Sequence, residues 1–176
     1  MPKKPRKMLN DINAPYIQSL MRLIETQSAV TIAGWCVEYA EARLLPLWER
    51  DFPDDKRPAA ALTAARDYLA GKIKLPEVKK QIAECRSAAR EAEGFHIAQG
   101  AARTIDAAAS SVHNPAGSIS LAFCGALTIA YDRLGLDAEW DALVSAAADE
   151  CAKMEAALRV VAVEDEPNPA KINWNC

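Results

Sequence analysis

The chain has 176 residues and a net charge of −3, with 51% hydrophobic but only 6% aromatic residues and seven glycines. This excludes a disordered charged tract and a collagen-like repeat, and β-branched and aromatic residues are too sparse for a sheet of many strands. The length suffices for one hydrophobic core, and abundant alanine favours packed helices, so residues 1–176 are expected to form a single all-α domain.

The first helix follows Asn13-Ala14-Pro15, where Ile17, Leu20, Met21 and Ile24 recur at helical spacing. Gln27 and Ser28 interrupt it, and Ser28 suits the cap of a second helix running from about Ala29 to Arg50. Ile32, Cys36, Tyr39, Ala40, Leu44 and Leu47 form its main stripe, while Trp35 and Trp48 lie off it. Apolar on more than one side, it reads as a central helix, bent or restarted at Pro46. Phe52 to Pro58 is a charged loop, and Pro58 opens a third helix that Gly71 stops.

A fourth helix begins at Leu75-Pro76-Glu77 and turns Val78, Ile82, Cys85 and Ala89 inward as far as Gly94. The fifth, from about His96 to Val112, is almost all alanine on its buried face. His113 to Ser118 forms the second marked loop, with Asn114 or Ser118 as cap of a sixth helix lined by Ile119, Ala122, Phe123, Ala126, Ala130 and Leu134. Gly135 ends that helix, and Asp137 is expected to cap a seventh carrying Leu143, Val144, Ala147, Cys151, Met154 and Leu158. Short links favour antiparallel neighbours, so the expectation is a compact array of about seven antiparallel helices.

Residues 1–12 form a basic N-terminal arm with Lys3, Lys4, Arg6 and Lys7, expected to fray. Residues 167–176 form an extended tail, expected to dock through Ile172 and Trp174. The five cysteines are widely spaced and show no CxxC pair; the four inside helical patterns read as buried thiols in a reducing compartment, while Cys176, the last residue, is expected to be exposed and without a role. Neither a signal-peptide core nor an apolar run of membrane-spanning length is present, so the reading is a cytoplasmic protein with no membrane partner. The mild negative charge argues against a nucleic-acid partner.

No catalytic or cofactor set is complete. Glu93-Gly94-Phe95-His96 has ExxH spacing, but a di-metal bundle needs a second such motif and two more inward glutamates. His113 near Ser110, Ser111 and Ser118 lacks a nucleophile elbow, and the glycines form no phosphate-binding series. The carboxylate pairs Glu38/Glu41, Asp54/Asp55 and Glu91/Glu93 read as solvated faces or caps. The reading is therefore no enzyme, no cofactor and no metal. The two loops, Asp54-Asp55-Lys56-Arg57 and His113 to Ser118, are the places where a helical scaffold would present recognition residues.

Specific strings sharpen this. Thr31-Ile32-Ala33-Gly34-Trp35-Cys36, Leu45-Pro46-Leu47-Trp48-Glu49 and the Phe52–Pro58 loop are followed by Ala64-Ala65-Arg66, Gly71-Lys72-Ile73, Ala101-Ala102-Arg103 and Ser111-Val112-His113. Over roughly residues 20–160 the chain resembles the helical family of immunity proteins of bacterial polymorphic-toxin systems. That resemblance implies a small all-helical protein that binds and neutralises a cognate toxin by steric blockade. Glu41, Arg50, Asp54, Asp55, Arg57 and His113 are then the candidate partner-binding residues, chosen by their chemistry. A small-molecule-binding or enzymatic helical protein is the alternative, with a deep pocket where Trp35, Tyr39, His113 or Glu41 converge. A homo-oligomeric adaptor is another.

Overall fold

A computed structural model describes residues 4–174. In chain order it contains α1 (Pro15–Ile24), α2 (Ala29–Arg43), α3 (Leu45–Asp51), α4 (Arg57–Leu69), α5 (Leu75–Glu91) and α6 (His96–Ser110). A 3-10 turn (Pro115–Ile119) and a π-helical segment (Leu121–Ala126) lead into α7 (Leu127–Leu134), and α8 (Trp140–Val161) follows. The protein is all-α, with no strand among the described residues. Counting α2 with α3, and the 3-10 and π segments with α7, these are the seven expected helical units. Pro46 accounts for the α2/α3 break: it has no N–H to give and restarts the helix at Leu45.

Local signals explain most boundaries. Ser28 Oγ accepts the Thr31 N–H at 3.2 Å, capping α2. Pro58 and Pro76 occupy the first turns of α4 and α5, and Glu77 reaches back to accept the Lys74 N–H at 2.8 Å. Gly71 and Gly135 take φ of 73° and 91°, which a side chain would resist.

Two expected caps are not made. Neither Asn114 nor Ser118 caps a helix; the Gly117 N–H instead donates to the Asn114 carbonyl at 3.0 Å inside the 3-10 turn. Ser118 Oγ is buried and has no hydrogen-bond partner among the described residues. Nor does Asp137 cap the last helix. The Ala138 N–H bends back to the Gly135 carbonyl, and α8 begins only at Trp140.

Helix α6 shares the centre with α2, packing against α2, α3, α4, α5 and α7. Its buried face is Ala98, Ala101, Ala102, Thr104, Ile105, Ala108 and Ala109, small enough for neighbouring axes to approach closely. The main core takes Ile17, Leu20, Ile32, Leu44, Leu62, Leu127 and Met154 from five helices and the α2/α3 link. A smaller cluster joins Trp48 to Ala88, Ala89, Ala92, Ala98 and Ala102, where α3 meets α5 and α6.

Both ends of the described segment, residues 4–174, are tied down. Composition predicts a frayed N-terminal arm, but Leu9 is buried and its N–H donates to the Phe123 carbonyl at 2.9 Å. The Arg6 N–H donates to Tyr131 Oη at 3.0 Å, and its guanidinium lies 4.3 Å over the Trp140 ring. These anchors hold residues 6–9 on α7, the π segment and the start of α8. The tail docks as expected, with Ile172 and Trp174 against the core and Trp174 Nε1 donating to Glu25. Buried Gln27 holds it further: its Oε1 accepts the Val163 N–H at 2.7 Å and its carbonyl accepts that of Ala170 at 2.8 Å. Lys3 and Cys176 lie outside the described residues.

Candidate functional site

The loop between α3 and α4 is held from below by an aromatic stack. Trp48 is buried and its Nε1 donates to the Asp55 carbonyl at 2.9 Å. Phe52 stacks on Trp48 at 4.6 Å, and Phe95, half exposed in the α5–α6 turn, meets Phe52 edge-on at 4.9 Å. Over this stack Arg57 grips two carboxylates. Its Nε and Nη2 donate to Asp55 at 3.0 and 2.6 Å, and its Nη1 and Nη2 to Glu91 at 3.1 and 2.6 Å.

A planar guanidinium suits such two-sided contacts, which fix orientation as well as adding charge-assisted bonds. The Arg57 bonds hold the Asp55 and Glu91 carboxyls below their ordinary values, and Asp55 and Glu91 in turn raise Arg57. Asp54 stays exposed beside them, and Lys56 pairs with Glu49 at 3.5 Å. The loop is therefore a rigid, charged platform with an aromatic edge.

The other predicted partner residues are dispersed. Glu41 on α2 is engaged by Arg66 of α4 at 2.6 Å, and Arg50 on α3 by Asp132 of α7 at 2.7 Å. His113 lies beyond the end of α6, exposed, its pKa lowered by partial burial and by Lys79. Arg57 meets α5 at Glu91 and His113 lies near it at Lys79. The intervening turns of α5 span about 18 Å, so the two loops lie at opposite ends of that helix. Trp35 and Tyr39 share a depression of about 210 Å³ with Ala157 and Val161, without Glu41 or His113. The four do not converge.

One buried ionic group escaped the sequence reading. Glu150 on α8 is fully buried; it accepts Tyr39 Oη at 2.6 Å and Arg43 Nε and Nη2 at 2.8 and 2.9 Å. Burial alone would raise its pKa, but the bonds from Arg43 and Tyr39 outweigh that and lower it. Together with Trp35 Nε1 donating to the Met154 carbonyl at 3.0 Å, this stitches α2 to α8. Position 150 falls between Ala147 and Met154 on the inward stripe, a signal that was available. The thiols of Cys36, Cys85 and Cys151 are pushed up to about 12 by burial, far from a nucleophile's range.

A family model described as "Imm-5 like putative immunity protein" matches residues 22–157. The chain belongs to this Imm-5 like family. No curated protein and no solved structure matches it. The matched span runs from the last turn of α1 into α8, and so contains the Arg57 platform and the Glu150 stitch; the N-terminal arm and the C-terminal tail lie outside it. No described helix is long and apolar enough to cross a membrane.

Proposed function

We propose that this chain binds a cognate toxin and neutralises it by steric blockade, using the end of the molecule that carries the Arg57 platform. Membership of an immunity-protein family is the observation that carries the general role. The platform is the surface best suited to it. Arg57 and Asp55 hold a fixed geometry, Asp54 stands exposed beside them, and Phe95 adds a half-exposed aromatic ring. Arginine and aromatic side chains are the groups that dominate binding energy at protein interfaces. Glu41 and Arg50 lie outside this loop and its aromatic edge, paired with Arg66 and Asp132, and His113 lies at the other end of α5. Blockade needs no catalytic group and no cofactor, and it acts wherever the toxin is met, here taken as the cytoplasm.

Co-expression with toxin-domain proteins encoded beside this gene tests the proposal. The chain should rescue growth from one of them, and that toxin should co-purify with the chain. Phe95→Ala and Asp54→Lys should each weaken capture by about tenfold or more, and Asp54→Lys, at an exposed position, should leave the thermal midpoint unchanged. Failure to protect against or bind any neighbouring toxin overturns the role. Capture unaffected by either variant overturns the choice of face.

A further inference from the structure

A second feature borders the platform across the α5–α6 turn. Although the chain is net acidic, a cleft of about 410 Å³ between the N-terminal arm, the α5–α6 turn and α7 is lined by Lys4, Arg6, Lys7, Arg90 and Arg103. Glu93 is the one carboxylate on its wall. The arginines elsewhere are mostly neutralised: Arg22, Arg43, Arg50, Arg57, Arg66, Arg86 and Arg159 all have carboxylate partners. Among the described residues the five cations of the cleft form no ion pair, and of the arginines outside it only Arg133 shares that condition.

The arrangement is held in place. Arg6 is fixed through Tyr131 and Trp140, and Arg90 Nη2 donates to Ser87 Oγ at 2.9 Å. Five like charges around one concavity repel one another, and a low-dielectric wall strengthens their field. The first turn of α6, with His96 and Gln99, also lines the cleft and adds the positive end of that helix.

We propose that this cleft binds a small polyanion carrying a phosphate chain. Its volume of about 410 Å³ falls within the small-molecule range of about 300–1,000 Å³. The Arg90 and Arg103 guanidinium groups offer forked donors that match phosphate oxygens, while that of Arg6 is stacked on Trp140. A ligand of several negative charges relieves the repulsion that the chain itself leaves uncompensated. Glu93 and His96, the residues with metal-ligand spacing, belong to this cationic wall, which disfavours a metal ion. The inference stands independently of the toxin proposal and uses the arm outside the matched family span.

Calorimetric titration of the full chain with inorganic pyrophosphate, tripolyphosphate and ATP, at about 50 mM salt, is the test. Saturable one-to-one binding is expected, weakening as salt rises. Arg90→Gln with Arg103→Gln should weaken it by about tenfold or more. Lys4→Gln with Lys7→Gln provides a second variant should the first fail to fold, and Arg159→Gln at the far end of α8 should leave binding unchanged. ATP binding tighter than tripolyphosphate assigns the site to a nucleotide; equal binding assigns it to the phosphate chain alone. No binding of any of the three, or binding indifferent to the cleft variants, overturns the proposal. Tighter binding of an oligoglutamate peptide than of any phosphate compound overturns it too, in favour of an acidic protein segment.

Discussion

Gly100 of α6 lies directly against Thr128 of α7: a Cβ placed on the glycine would fall 2.5 Å from the threonine Oγ1. The contact is reciprocated one turn away, where a Cβ on Gly125 would fall 3.0 Å from Thr104 Cγ2. Each threonine hydroxyl also donates back along its own helix, Thr104 to the Gly100 carbonyl at 2.9 Å and Thr128 to that of Cys124 at 2.8 Å. Two glycines thus admit two threonines, and the hydroxyls are satisfied without crossing the interface.

Gly100→Ala should destabilise the protein by about 1–3 kcal/mol, because overpacking outweighs the helical preference of alanine. Gly34, in the middle of α2, has open space where a Cβ would stand, with no atom within 4 Å of that point. There the same substitution should stabilise by about 0.5–1 kcal/mol. Urea denaturation of the two variants reads the contrast, and equal effects would show that the α6–α7 approach is looser than described.

Arg43→Ala leaves Glu150 buried with Tyr39 and a more distant Lys153. The expected loss is about 2–3 kcal/mol, below that of a fully enclosed pair because Arg43 is partly in water. In a Glu150→Gln background the same change should cost clearly less, since no stranded charge remains. A double-mutant cycle by chemical denaturation measures the difference.

Acid should unfold the protein through these same carboxylates. Asp55, Glu91 and Glu150 are held below their ordinary values of 3.8, 4.5 and 4.5. Their contribution is complete above those values and is lost as pH falls through the lower folded values. The thermal midpoint should therefore drop steeply from about pH 4.5 downward. His113 is lowered from 6.5, so its neutral form favours folding and a shallow decline should begin as pH falls below that value. His113→Gln should remove the shallow decline and leave the steep one.

Gln27→Ala should loosen the tail, since the side-chain amide both accepts the Val163 N–H and donates to the Val163 carbonyl. Only the backbone bond from Ala170 to the carbonyl of residue 27 would then hold the 163–170 segment at this point. Stability should fall by about 1–3 kcal/mol. Limited proteolysis should then cut between residues 164 and 169 at rates at which the parent chain is intact.

The sequence alone determined the helical class, the seven helical units and most of the inward stripes, because periodicity, prolines and positive-φ glycines are local properties of the chain. Ser28, Pro58, Gly71 and Gly135 acted where they stand. It could not tell which charges would be neutralised within the fold. Glu41 and Arg50 looked like free recognition groups until Arg66 and Asp132 arrived from helices distant in sequence. Phe95 looked like one more loop residue until Phe52 packed under it. The arm from Lys4 to Lys7 read as a frayed end, and only the contacts of Arg6 and Leu9 with Tyr131, Trp140 and Phe123 turned it into the wall of a cleft. Such pairings depend on which helix faces reach one another in three dimensions, and no spacing along the chain encodes that directly.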